Sequence, residues 1–321
     1  MSLSSNNVQS QIRVRISSRR RVADRIDEFE LTPVDVASLP AWSAGAHIDL
    51  TTPAGPTRQY SLCSSPDEAG TYRIAVERRS DSRGGSVSVH DDLAVGSEVW
   101  ISAPRNHFEL TRALEYVFVA GGIGITPMLT LIEQARHSGR PWRLIYIGRT
   151  RAEMAFADDL LACHPRHVTV HESSHAGRLN LGVALAGLAR GTAVYSCGPP
   201  SMMDAVADAC AVQPAVDSFV ERFTVSVHSA APNEAFELSL AFSGVTVTVP
   251  EDRTIIDVLA DRGVVAPSSC REGMCGTCET GVVSGEVDHR DSVLSPEERS
   301  ENESMMICVS RCTSGRLVLE L

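Results

Sequence analysis

Apolar residues recur at every second position where the chain first shows a pattern. Ile12, Val14 and Ile16 alternate with polar neighbours, which is the two-residue period of a half-buried strand. The short runs HIDLTT, RQYSLCS, YRIAVER and EVWISAP follow, set apart by Pro, Gly and Ser. Strands this short and regular predict a small antiparallel β-barrel over residues 1–111. From residue 112 the pattern changes. Tyr116 to Ala120 is a continuous apolar run, and Leu129, Ile132 and Ala135 then recur at helical spacing. Thr126 and Pro127 predict the start of that helix, threonine as N-cap and proline in the first turn. The strand-like runs LIYIG, HVTVH, TAVYSC and SFVERF alternate with the helix-like stretches AEMAFADDLLA, LGVALAGLA and SMMDAVADACA. Strands alternating with helices predict a parallel α/β sheet over 112–225.

TVSVHSAAPNE is polar and predicts a connector at about 226–235. Beyond it, FELSLAFSGVTVTVP has the alternation of a hairpin, and TIIDVLADRG predicts a short helix stopped at Gly263. Ser295-Pro296-Glu297-Glu298 has the form of a capping box. Residues 236–321 thus predict a third, β-grasp-like domain.

At 321 residues the chain is too long for one ordinary core, and its 43% hydrophobic content suits a globular protein. The N-terminal stretch has no apolar run, and no segment reaches the length of a membrane span. Nine cysteines without a secretion signal point to a reducing compartment, the cytoplasm. The net charge of −11 is unevenly spread: from Phe236 onward there are fifteen acidic and seven basic residues, against 25 and 22 before it. An acidic surface argues against nucleic acid and anionic membrane, and suits docking on a basic protein partner. Every Lys or Arg position is arginine.

The cysteines carry the strongest chemical signal. Four residues separate Cys270 from Cys275, two separate Cys275 from Cys278, and 29 separate Cys278 from Cys308. Four thiolates so spaced suit a 2Fe-2S cluster, three on one loop and the fourth arriving from a distant strand. Gly273 and Gly276 permit the sharp turns such a loop needs. A structural zinc site favours paired short spacings, and the second pair is missing here, because Cys312 follows Cys308 after three residues. A disulfide framework fits poorly with a chain of this length and no secretion signal.

Four other stretches look chemical, though each alone is common. Arg58, Tyr60 and Ser61 offer a phosphate clamp, a stacking ring and a hydrogen-bond donor. Arg83, Gly84, Gly85 and Ser86 offer bare N–H groups and a hydroxyl for an anion, just after the strand holding Ala75 and Val76. Gly121, Gly122 and Gly124 lie between the first parallel strand and its helix, where open α/β sheets bind ligands. Cys197, Gly198 and Pro199 end a later strand on the same rim. Cys197 reads either as a small buried hydrophobe or as a nicotinamide contact.

Taken in order, RQYS, RGGS, GGIGITPM, SCGPPSMM and the four cysteines resemble the phthalate dioxygenase reductase family, which includes the vanillate demethylase reductases. The resemblance covers nearly the whole chain. It implies that Arg58, Tyr60, Ser61, Ala75 and Val76 hold and line FMN, with Arg83, Gly84, Gly85 and Ser86 on its phosphate. It implies that Gly121, Gly122, Gly124, Thr126 and Pro127 form the floor between flavin and nicotinamide, and that Cys197, Gly198 and Pro199 place the nicotinamide. Cys270, Cys275, Cys278 and Cys308 would hold the cluster. FAD is the alternative flavin. NADH is the implied donor, and NADPH is its alternative because Arg149 and Arg151 could meet a 2′-phosphate. The implied activity passes hydride from NADH to flavin, and then single electrons through the cluster to a Rieske non-haem iron oxygenase. Hydride transfer needs no acid or base, so no catalytic residue is assigned. The alternatives are a reductase serving a cytochrome P450, and an electron carrier whose nicotinamide site no longer works.

Overall fold

The alternation that opens the chain becomes a barrel wall. The computed structural model describes residues 11–68, 70–79, 84–223 and 232–321. Arg83 and most of the connector, 224–231, lie outside them. Strands β1 (Ile12–Ala23), β2 (Ile26–Pro33), β3 (His47–Thr51), β4 (Thr57–Ser61), β5 (Tyr72–Glu77) and β6 (Glu98–Ile101) form one sheet in the order β4-β3-β6-β1-β2-β5. A bridge between Leu62 and Ile74 joins its two edges. Every second residue points inward, so Val14, Ile16, Phe29, Leu31, Ile48, Leu50, Ile74 and Val76 are fully buried together. Helix α1 (Gly85–Asp92) follows β5.

Next comes an all-parallel sheet in the order β11-β10-β7-β8-β9. Its strands are β7 (Glu115–Gly121), β8 (Trp142–Gly148), β9 (Val168–Glu172), β10 (Thr192–Cys197) and β11 (Val216–Glu221). Between them run α2 (Ile125–His137), α3 (Ala157–Cys163), α4 (Ser173–Ala176), α5 (Leu181–Ala184) and α6 (Pro200–Ala211). Two expected helices are much shorter than their apolar patterns. AEMAFADDLLA yields only α3, because Phe156 takes a left-handed conformation (φ 60°) just before it. LGVALAGLA yields only four helical residues, ending where Leu185 leaves helical geometry. Thr126 is not the N-cap of α2 either. A 3₁₀ turn at Gly122–Gly124 leads straight into the helix, and Thr126 Oγ1 instead bonds the carbonyl of Ile123 at 3.0 Å.

Barrel and parallel sheet share one core. Ile26, Ala44, Ala75 and Phe108 pack with Phe118, Met128 and Tyr195, and the N–H of Gly45 donates to Thr130 Oγ1 at 3.0 Å.

The chain divides into two compact units that meet in sequence at Phe223 and Thr224. The second is a mixed sheet, β13-β12-β18-β14-β16, with a separate β15-β17 pair. Its elements are β12 (Phe236–Leu240), β13 (Thr246–Val249), α7 (Ile255–Asp261), β14 (Glu279–Ser284), β15 (Val287–Asp288), α8 (Pro296–Glu301), β16 (Ser304–Met306), β17 (Arg311–Cys312) and β18 (Arg316–Leu319). The hairpin β12–β13 and the capping box at Ser295 and Glu298 form as their sequences predict. Arg311 is buried and donates to the carbonyls of Glu234, Pro250 and Arg253 at 2.9 Å each, stitching the domain's entry to its body.

Candidate functional site

At the barrel end, β4 and the start of α1 meet. Gly84 sits in the left-handed region (φ 86°) and α1 has no side-chain cap, so the helix opens on backbone N–H groups of the kind that receive an anion. A Cβ on Gly85 would lie 2.8 Å from Cγ and Nε of Arg58. The arginine therefore crosses the glycine pair, bringing two separate sequence motifs to one place. Ser86 Oγ accepts the N–H of Arg79 at 3.1 Å. Helix α1 is docked by His90, whose Nε2 lies 2.8 Å from the carbonyl of Val76 and whose Nδ1 lies 3.3 Å from buried Asp27. Burial raises the phenol of Tyr60 above its ordinary range, keeping it neutral. Ala75 and Val76 alternate, Val76 inward to the barrel core and Ala75 toward the parallel sheet. This cradle, with uncapped N–H groups, an arginine and a tyrosine beside it, fits a phosphorylated ring.

The glycine rim lies across the core. A Cβ on Gly124 would stand 2.3 Å from the carbonyl oxygen of Cys197, and one on Gly121 would stand 2.6 Å from Pro199 Cδ. Only glycine lets the two strand ends close against each other. Cys197 is fully buried and burial raises its thiol, so it meets this floor as a neutral side chain. Beside the rim opens a cleft of about 520 Å³, lined by Gly121, Gly122, Arg149, Ser173, Arg178 and Pro199 among others. Of the two arginines considered from sequence, Arg149 reaches the cleft and Arg151 pairs with Asp158 at 2.5 Å. Arg178, near Ser201 Oγ at 3.4 Å, was not expected. It lies in a loop whose place over the cleft only the fold reveals.

Sequence reasoning also passed over Glu221, read merely as part of a strand. It ends β11, where burial pushes its carboxyl up to about 8, with the nearby Ser61 hydroxyl pulling the other way. Neither Ser61 Oγ nor Glu221 Oε2 is in hydrogen-bonding geometry with any group. The Glu221 charge also bears on Cys197. Ser61, Cys197 and Glu221 thus bring β4, β10 and β11 to one buried floor.

In the second unit all four expected cysteines are buried, and all nine in the chain are free thiols. Gly273 (φ 66°) and Gly276 (φ 70°) supply the left-handed turns of their loop. Cys308 lies in the turn just after β16, not on a strand, because β16 ends at Met306. Among the described residues no group of three or more His, Cys, Asp or Glu side chains closes on a single metal ion. The thiols instead influence one another's protonation in two pairs. Cys270 pulls Cys275 down to about 5, and Cys308 lowers Cys278. The N–H of Glu272 donates to Cys270 Sγ at 3.3 Å. Two thiol pairs fit a two-iron centre, one pair to each iron. Cys312 stands apart, half-buried beside Ser314.

A family model described as "2Fe-2S iron-sulfur cluster binding domain" matches residues 240–313. One described as "Dimethylamine monooxygenase subunit DmmA-like, N-terminal domain" matches 105–217. Phthalate dioxygenase reductase of Burkholderia cepacia is 40% identical over 315 residues, covering 97% of each chain. The solved structure of a phthalate dioxygenase reductase, described as modular for electron transfer from pyridine nucleotides to 2Fe-2S, has a TM-score of 0.74 at 40% identity, over 97% of this chain and 98% of that one. An intact type IV self-sufficient cytochrome P450 monooxygenase matches with a TM-score of 0.87 at 40% identity, over 97% of this chain and 41% of that one. This chain thus spans about two fifths of that monooxygenase. Among the described residues no helix is long and apolar enough to cross a membrane.

Proposed function

This chain belongs to the phthalate dioxygenase reductase family of oxygenase reductases, and we propose that it carries electrons from NADH, by way of FMN and a 2Fe-2S cluster, to a separate Rieske non-haem iron oxygenase in the cytoplasm. The observation that carries this reading is the shared floor. The ends of β10 and β11 bring Cys197 and Glu221 to Ser61, the last residue of the strand with Arg58 and Tyr60. A nucleotide held on the glycine rim and a flavin held on β4 would then meet over this floor, where these residues would align them for hydride transfer.

FMN supplies the step from paired to single electrons when bound. The protein's part is positional. Arg58, Gly84, Gly85 and Ser86 hold the phosphate end, and Tyr60 and Ser61 hold the ring. Gly121, Gly122, Gly124, Thr126, Pro127, Gly198 and Pro199 shape the nicotinamide floor, which buried Cys197 supports. Arg149 and Arg178 meet the nucleotide's phosphates in the cleft. Cys270 and Cys275 hold one iron, and Cys278 and Cys308 the other.

Anaerobic titration of the purified protein with NADH, and separately NADPH, tests this. NADH should bleach flavin and then cluster absorbance. A cluster that neither nucleotide bleaches would leave only the electron-carrier reading. The length of the match to a P450 fusion favours one second reading, a cytochrome P450 as acceptor. Reconstitution with a Rieske oxygenase and with a P450 separates the two.

A further inference from the structure

Oxidising NADH leaves a proton behind. NADH gives up two electrons and one proton together as hydride, but an iron–sulfur cluster accepts electrons alone. Once both electrons have gone, NADH has become NAD⁺ and one proton per turnover must leave the flavin site. That site is buried, so the proton needs a route to water.

One side chain stands where such a route would begin. His47 on β3 pairs directly across from Ser61 on β4. Directly opposed residues of an antiparallel pair project from the same face and touch. His47 is only 6% exposed, and its Nε2 has no hydrogen-bond partner. Ser61 Oγ and Glu221 Oε2 are likewise buried and unpartnered. Ser61 thus stands between His47, across the strand pair, and Glu221, and the unpartnered polar atoms of the three suit a bridging water. On the far side, His107 stacks on the His47 ring with centroids 5.8 Å apart, and His107 is exposed to solvent.

We propose that His47 and His107 form the exit for this proton, taking it from the Ser61–Glu221 floor to bulk water. The inference rests on the flavin reading above. The groups facing His47 are Ser61 on β4, Arg105 and His107 on the adjoining segment, and Asp49 on its own strand, with Arg105 held to Asp49 at 2.7 Å. Burial and then the Arg105 charge hold the His47 imidazole down to about 4. At neutral pH the ring is therefore uncharged. It takes up a proton only in passing and gives it on, without trapping it.

The test is an anaerobic stopped-flow reaction of the holoprotein with NADH in weak buffer, with excess oxidised cytochrome c as a one-electron acceptor, so that both electrons leave the flavin. A pH-indicator dye follows proton release while visible absorbance follows flavin and cluster. Wild type should release one proton per NADH in step with the passage of both electrons to the acceptor. In His47→Phe and His107→Phe the first flavin-bleaching phase should be unchanged. Proton release and the second electron's passage to the acceptor should slow by roughly tenfold or more, and added imidazole should restore both. Proton release at the wild-type rate in both variants overturns the proposal. If His47→Phe fails to retain flavin, the surface variant His107→Phe decides alone. Wild type that NADH cannot bleach refutes the function itself, a result distinct from a bleached flavin with undelayed protons.

Discussion

Gly124→Ala isolates the contact on which the hydride floor depends. Gly124 has φ −62° and ψ 0°, which alanine adopts freely, so the backbone imposes no penalty. The added Cβ would stand 2.3 Å from the Cys197 carbonyl oxygen, 2.5 Å from its carbon and 2.9 Å from the Gly198 nitrogen. All three are main-chain atoms with no rotamer to yield. Ordinary contact lies about 1 Å further out, so the ends of β7 and β10 must separate by roughly that much. Overpacking of this kind costs about 1–3 kcal/mol, or about 2–4 °C of Tm per kcal/mol in a unit of this size. The kinetic effect should be larger, since a displacement of ~1 Å at a reacting centre costs on the order of 100-fold. Stopped-flow reduction by NADH should slow by about that factor, while the resting flavin and cluster spectra stay as in wild type. Gly139→Ala, at the other end of α2, is the control. Its added Cβ meets open space, but φ is 68°, so it should cost about 1 kcal/mol and leave hydride transfer unchanged. Wild-type hydride transfer in Gly124→Ala, with its Tm lowered as expected, would refute the argument.

Cys308→Ser should abolish the cluster's visible absorbance and Cys312→Ser should leave it, because Cys308 pairs with Cys278 and Cys312 stands apart. The reverse result would move the fourth ligand. Arg178→Ala should raise the KM for NADH by about 10- to 100-fold, the loss expected for a charge-assisted hydrogen bond, with kcat little changed; an unaltered KM would take Arg178 out of the cleft's chemistry. The fold holds a proton on Glu221 up to about pH 8 that the unfolded chain releases near the usual glutamate value. Its stabilising contribution is therefore whole below about pH 4.3 and is lost as pH rises toward 8. Denaturation across that window should show wild type losing stability relative to Glu221→Gln, and parallel curves would place the carboxylate in water.

The features legible in the sequence are those written locally. Strand alternation, the glycine rim, the RQYS strand and the cysteine loop all lie within a few residues of one another. Arg58 could be read as a phosphate ligand, but its passage across Gly85 depends on how β4 meets α1. Glu221 and His47 were hidden inside runs that read as plain strand, SFVERF and HIDLTT. Each owes its unpartnered polar atom to neighbours from other strands, and no window of sequence holds those neighbours together. The errors at Thr126 and in LGVALAGLA share this origin. Local capping and apolar spacing favoured one boundary, and the packing of the rim and the geometry around Leu185 set another.

The pairing of the four thiols carries a consequence for assembly. Cys270 and Cys275 perturb each other's protonation, as do Cys278 and Cys308, with one member of each pair biased toward the nucleophilic thiolate. Thiols so placed are primed to join each other under oxidant. Polypeptide exposed to air before iron arrives should lose its thiols two at a time and end as a doubly cross-linked, brownless protein that takes up no metal until reduced. The order of events during maturation, iron and sulfide first and oxygen afterwards, is thus dictated by the resting positions of four sulfur atoms.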